Sequence, residues 1–91
     1  MKIYLTPSAN RDLRGVENYI RQDNPAAADF VEQRIFSVID YLLSFPAMGR
    51  LGRIPNTREL VISGTPFIVK YHIRQERIVV LRVLHASRKW M

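Results

Sequence analysis

At 91 residues the chain reads as one domain, and without cysteine neither a disulfide nor a thiolate metal site can staple it, while two histidines, His72 and His85, have no clustered partners for a zinc site. Chains this short bury only roughly 60–65% of their unfolded surface, so a partner covering apolar surface would add stability; a hydrophobic fraction of 47% excludes a disordered chain. The net charge of +6 is lopsided: residues 1–45 hold five basic against six acidic side chains, net −1, and residues 46–91 hold nine against two, net +7, which points to an acidic partner such as nucleic acid, a nucleoprotein or an acidic protein segment.

Lys2-Ile3-Tyr4-Leu5 reads as a short first strand. The start, MKIYLTPSAN, has no apolar h-region, so no signal peptide is expected. No run reaches ~18 apolar residues, so no membrane span is expected either, and the expected compartment is the cytoplasm. Thr6-Pro7 has the form of an N-cap followed by proline at the first helical position. Ala9, Leu13, Val16 and Ile20 then follow at helical spacing, with Gly15 weakening the helix slightly. The helix should stop near Asp23. Asn24-Pro25 repeats the start signal, and a second helix should run to about Ser44. Its apolar stripe is Val31, Ile35, Val38, Leu42 and Phe45, widened by Phe30 and Ile39. Pro46 ends it. So short a connection makes the pair an antiparallel hairpin.

Residues 46–57, rich in Gly and Pro and carrying Arg50 and Arg53, read as a loop. Three strands follow: Glu59–Ile62, then Phe67–Ile73 after a Gly64-Thr65-Pro66 turn, then Ile78–Leu84 after a turn at Gln75-Glu76. Residues 85–91 read as a polar tail bearing Trp90. The order β-α-α-β-β-β predicts an α+β fold, with the helical hairpin packed on one face of a mainly antiparallel four-stranded sheet. A tight turn at Gln75-Glu76 would set Arg74 opposite Arg77, His72 opposite Val79 and Lys70 opposite Leu81. Phe67, Val69, Tyr71 and Ile73 would then face the helices with Ile78, Val80, Arg82 and Leu84, Arg82 lying near the rim. The other face would carry Lys70, His72, Arg74 and His85 around Ile68, Val79, Leu81 and Val83, a basic surface with an apolar stripe suited to a protein partner. A one-residue slip would exchange the two faces.

Gly52-Arg53, then Thr57-Arg58-Glu59-Leu60-Val61, Gly64-Thr65-Pro66 with Phe67–Tyr71, and Leu81-Arg82-Val83-Leu84-His85 with Arg88 together resemble the RelE/ParE toxin superfamily, most of all its ParE-type plasmid stabilisation branch. The likeness is strong over about the last 40 residues, and the first strand and helical hairpin fit in order and length. It implies a growth-inhibiting toxin of a type II toxin–antitoxin system. It also implies a cognate antitoxin that lays an acidic and apolar C-terminal segment on the toxin in a heteromeric complex. No metal or organic cofactor is expected.

The superfamily has two targets, DNA gyrase for ParE-type members and ribosome-bound mRNA for RelE-type nucleases. RNA cleavage by the ribose 2′-hydroxyl needs a base, a cation for the phosphate and an acid for the leaving oxygen. The resemblance implies that RelE-type nucleases place an arginine on the 67–73 strand and a tyrosine in the tail. The arginine column falls on Ile68 here, and residues 86–91 hold no tyrosine. A different nuclease set would use His85 as base, Arg58, Arg82 and Arg88 as phosphate clamps and Glu59 as acid or base. Each residue has a plainer reading. His85 can be a capping residue at a strand end, Arg82 can pair with Glu59, and Arg58 with Glu59 can form a surface pair. Arg50 and Arg53 can contact a target or simply be solvated, Trp90 can stack on a base or cover the core, and Ile68, Lys70, His72 and Arg74 can hold the antitoxin.

Overall fold

The computed structural model describes residues 1–86. Its elements are β1 (Lys2–Leu5), α1 (Pro7–Asp23), α2 (Pro25–Tyr41), β2 (Arg50–Leu51), β3 (Thr57–Val61), β4 (Phe67–Arg74) and β5 (Arg77–His85). The α+β expectation holds, with one more strand than expected. β2 adds a fifth, two-residue strand within the region read as a loop, and the sheet order is β1-β5-β4-β3-β2. β1 runs parallel to β5; every other neighbour is antiparallel.

Local chemistry sets the helix ends. The Thr6 hydroxyl accepts the Ala9 N–H at 3.0 Å and donates to the Leu81 carbonyl at 2.9 Å, so one side chain caps α1 and ties it to β5. Asn24 closes α1 and opens α2. Its N–H reaches the Ile20 carbonyl at 2.7 Å, and its side chain accepts the Ala27 N–H at 3.1 Å. α2 stops at Tyr41 rather than Ser44. The Leu42 N–H is shared between the Val38 and Ile39 carbonyls, which tightens the last turn and drives Leu42 into the core.

The core joins Ala9, Val31, Ile35, Ile39 and Leu42 of the helical layer to Phe67, Val69, Tyr71, Ile78, Val80 and Val83 of the sheet. Leu13, Val16 and Ile20 pack partly buried against it, as their spacing predicts. Phe30 and Phe45 do not join it; they are 54% and 51% exposed. Among the described residues, no helix is long and apolar enough to cross a membrane.

The β4–β5 hairpin decides which side chains share a face. From its turn upward the register is as expected: Arg74 opposite Arg77, His72 opposite Val79 and Tyr71 opposite Val80. A bulge then intervenes. Lys70 stands opposite Arg82, not Leu81, and Val69 opposite Val83. Leu81 is the extra residue, and beyond it the alternation along β5 is reversed. Val83 therefore packs in the core, while Arg82 and Leu84 leave the helix-facing parity expected of them.

Candidate functional site

On the sheet face turned away from the core, the register lines up side chains in rows. Lys2, Arg77 and Arg74 form one row across three strands; Tyr4, Val79 and His72 form the next. Beyond them come Arg82, Lys70 and Glu59, then Leu84, Ile68 and Val61. The Arg77 guanidinium lies 5.8 Å from the centre of the Tyr4 ring, within cation–π range. Lys2, Arg74 and Arg77 are exposed; Lys70, His72 and Ile68 are half-buried. Lys70, His72, Arg74, Ile68 and Val79 share this face as the alternation predicts, but Val83, His85 and the bulged Leu81 leave that pattern, Arg82 joins it, and Leu84, of the same parity, is buried.

Among the described residues, those proposed for phosphate chemistry (Arg58, Glu59, Arg82 and His85) do not converge on one point. Arg58 stands opposite Tyr71, on the core side, and its guanidinium donates to the Gly49 and Ala47 carbonyls at 2.7 and 3.3 Å. Glu59 stands opposite Lys70 on the open face, 3.6 Å from Arg50. Arg82 does not pair with Glu59. It makes a two-pronged bond to Asp12 of α1, at 2.7 and 3.0 Å. The cause is topological. β1 ends at Leu5, so the edge of β5 beyond Leu81 lacks a neighbouring strand, and Asp12 fills the gap by also accepting the Val83 N–H at 2.9 Å. The carboxylate bonds hold the Arg82 charge and raise its pKa against the opposing effect of burial. His85 stands opposite Phe67, ring edge to ring face with centroids 5.5 Å apart, so it lies on the helix side of the sheet rather than on the basic face. Arg88 and Trp90 lie outside the described residues. No three His, Asp or Glu side chains gather as metal ligands among the described residues.

A second feature escaped the sequence reading. Residues 46–57 are a built structure rather than a slack connection. The buried Tyr71 hydroxyl accepts the Gly49 N–H at 2.8 Å and donates to the Pro46 carbonyl at 2.7 Å. Burial raises the pKa of this hydroxyl, and the Gly49 bond and the Arg58 charge partly offset the rise. The Thr57 hydroxyl donates to the Ile54 carbonyl at 2.6 Å, and the Gly52 N–H meets the Thr57 carbonyl at 2.8 Å. A Cβ on Gly49 would lie 2.8 Å from the Tyr71 ring, and one on Gly52 would lie 2.5 Å from the Thr57 hydroxyl. Only glycine allows these close approaches. A signal was available, because a tyrosine inside a core strand needs a partner for its hydroxyl.

The family model described as the ParE toxin of the type II toxin–antitoxin system parDE matches residues 3–90. The chain belongs to this family. It is thus a type II toxin–antitoxin toxin of the ParE/RelE kind. Its relatives include the toxin candidate Y4kP of Sinorhizobium fredii, 42% identical over 98% of this chain and 92% of that protein. Toxin RelE2 of Caulobacter vibrioides is 31% identical over 96% of this chain and 97% of that protein. Among solved structures, a chain of the chromosomal ParDE system of P. aeruginosa superposes with a TM-score of 0.84 at 23% identity, over 93% of this chain and 95% of that one. The isolated E. coli RelE toxin gives 0.69 at 14% identity, over 96% of this chain and 85% of that one. Those two likenesses are of fold. The same scaffold thus appears under both family names, and the side chains must decide the activity.

Proposed function

We propose that this toxin acts by protein contact, inhibiting DNA gyrase, and that a cognate antitoxin holds it in check in a heteromeric cytoplasmic complex. The dispersal of the nuclease candidates carries this reading. Cleavage needs base, cation and acid around one phosphate. Here Arg58 is spent on loop carbonyls, Arg82 is held by Asp12, and His85 packs against Phe67 on the helix side. Gyrase inhibition asks only for a contact surface, with Arg50 and Arg53 in the outer loop as target contacts.

The open sheet face is the proposed seat of the antitoxin. Lys70, His72 and Arg74 alternate along β4 beside Ile68 and Val79. An extended or helical segment carrying both carboxylates and apolar anchors matches this mixture, its charges guiding encounter and its apolar groups giving affinity.

The test is supercoiling of relaxed plasmid by gyrase with a rising excess of pure toxin. Inhibition is expected, and unimpaired supercoiling refutes the reading. In cells induced without antitoxin, DNA synthesis should fall before protein synthesis, with filamentation. The reverse order would favour a ribosome-dependent mRNA endonuclease, with His85, Glu59 and Arg88 rearranged on the target.

A further inference from the structure

We infer that the segment from Phe45 to Ile54 is the docking epitope for the toxin's protein target, seating in an apolar cleft rimmed by carboxylates. This rests on the protein-contact reading above. The segment combines three properties that folding alone does not require. First, its outward side chains are apolar: Leu51 is 75% exposed, Ile54 48% and Met48 40%. Single exposed apolar residues are ordinary, but a group of them with no cover marks an interaction site. An open depression of about 550 Å³ between the end of α2 and this segment, lined by Tyr41, Phe45, Pro46 and Met48, extends the surface.

Second, the charge is one-sided. Between Asp40 and Glu59 there is no acidic residue, while Arg50, Arg53 and Arg58 are present. Arg58 is turned inward to the loop carbonyls, which leaves Arg53 and Arg50 as the exposed cations of the segment, Arg50 standing opposite Glu59 on the side of the sheet away from Leu51. The Arg50 side chain is 74% exposed, and its contact with Glu59 is long at 3.6 Å. A partner with acidic rims fits this pattern.

Third, the backbone is preorganised. Tyr71, Arg58 and Thr57 hold it from beneath, with glycine at the two points of closest approach. A loop already fixed in its bound form loses little entropy on binding. Leu51 stands opposite Arg58, on the side of the sheet opposite to Lys70 and His72. Leu51, the most exposed of the group, is therefore turned away from the face assigned to the antitoxin.

The test compares wild type with two double variants, Leu51→Asp/Ile54→Asp and Leu51→Ala/Ile54→Ala. Far-UV circular dichroism and thermal midpoint check the fold. Growth arrest on induction, half-inhibition of gyrase supercoiling and copurification with the co-expressed antitoxin report function. The aspartate variant should keep fold and antitoxin, lose growth arrest and need at least about tenfold more toxin for half-inhibition, the effect of losing a central apolar anchor. The alanine variant should fall between, and it decides the matter if the aspartates disturb the fold. Undiminished growth arrest in a folded variant overturns the inference, as does loss of the antitoxin, which would make this its contact. If wild type arrests growth without touching supercoiling, the gyrase reading fails alone. Growth arrest then judges the epitope, lost arrest upholding it and retained arrest overturning it. A wild-type chain that arrests nothing overturns both.

Discussion

Replacing Tyr71 by phenylalanine isolates the anchor of the loop. The ring stays and fills its site, so no large cavity opens; what disappears is a hydroxyl with bonds of 2.8 Å to the Gly49 N–H and 2.7 Å to the Pro46 carbonyl. Gly49 is buried, so its N–H is left without a partner, and an orphaned buried donor costs roughly 1–3 kcal/mol. The Pro46 carbonyl is only half-buried and can turn to water, adding little. The expected loss is therefore about 2 kcal/mol, or a fall in thermal midpoint of about 10 °C for a chain this small. Urea denaturation followed by circular dichroism should show a lower midpoint at unchanged slope, and hydrogen exchange should show the Gly49 amide losing protection. The pH dependence gives an independent check. Burial raises the folded pKa of Tyr71 above the ordinary value of 10.0. This contribution is fully present below that value and is lost as the pH rises through the raised one. The stability gap between wild type and variant should thus be widest near neutrality and narrow in alkali. An unchanged urea midpoint with Gly49 still protected would show that the hydroxyl does not hold the loop.

Three further outcomes follow from the same geometry. Asp12→Ala removes the two-pronged bond to Arg82 and strands the Val83 N–H at the sheet edge. A loss of about 1–2 kcal/mol is expected, discounted for the half-exposed arginine, and a thermal midpoint equal to wild type would contradict it. Thr6→Ala deletes both the α1 cap and the tie to Leu81. It should cost about 1–2 kcal/mol, while Thr6→Ser, which keeps the hydroxyl, should cost much less in urea titrations. Gln75 and Glu76 sit at φ 51° and 60°, the left-handed pair of a tight hairpin turn that favours Asn-Gly. Gln75→Asn/Glu76→Gly should therefore raise the thermal midpoint, and a lower midpoint would show that the turn carries no strain.

The parts of the fold legible in the sequence were those fixed by local chemistry. Thr6-Pro7 and Asn24-Pro25 state both helix starts, because a cap needs only a side-chain oxygen and its own next turn. The turn-proximal half of the last hairpin was legible as well, since Phe67 to Ile73 alternates cleanly. The distal half was not. Ile78–Leu84 is apolar almost throughout, and a run without alternation carries no information about which residue faces which way. Leu81 could bulge out of register with nothing in the run to announce it. The partner of Arg82 was hidden for a related reason. Asp12 lies 70 residues away, and only the early end of β1 leaves the edge it occupies. Phe30 and Phe45 fit the helical stripe by spacing yet stay exposed, because periodicity places a residue on a face but cannot say how wide the opposing layer is.

The bulge also connects fold to function. On an unbroken ladder His85 would share the basic face with Lys70 and His72, and a base, cations and Glu59 would stand on one surface. The single extra residue at Leu81 turns His85 to the helix side against Phe67 and gives Arg82 the open-face parity, while the early end of β1 lets Asp12 hold it. Two of the charged or basic groups that phosphate chemistry would need are thereby committed to structure. The surface that remains offers cations, apolar side chains and a preformed loop, and these are the means of binding a protein. In this chain one register shift therefore decides which of the candidate side chains share a face, while the core and the helical hairpin are left intact.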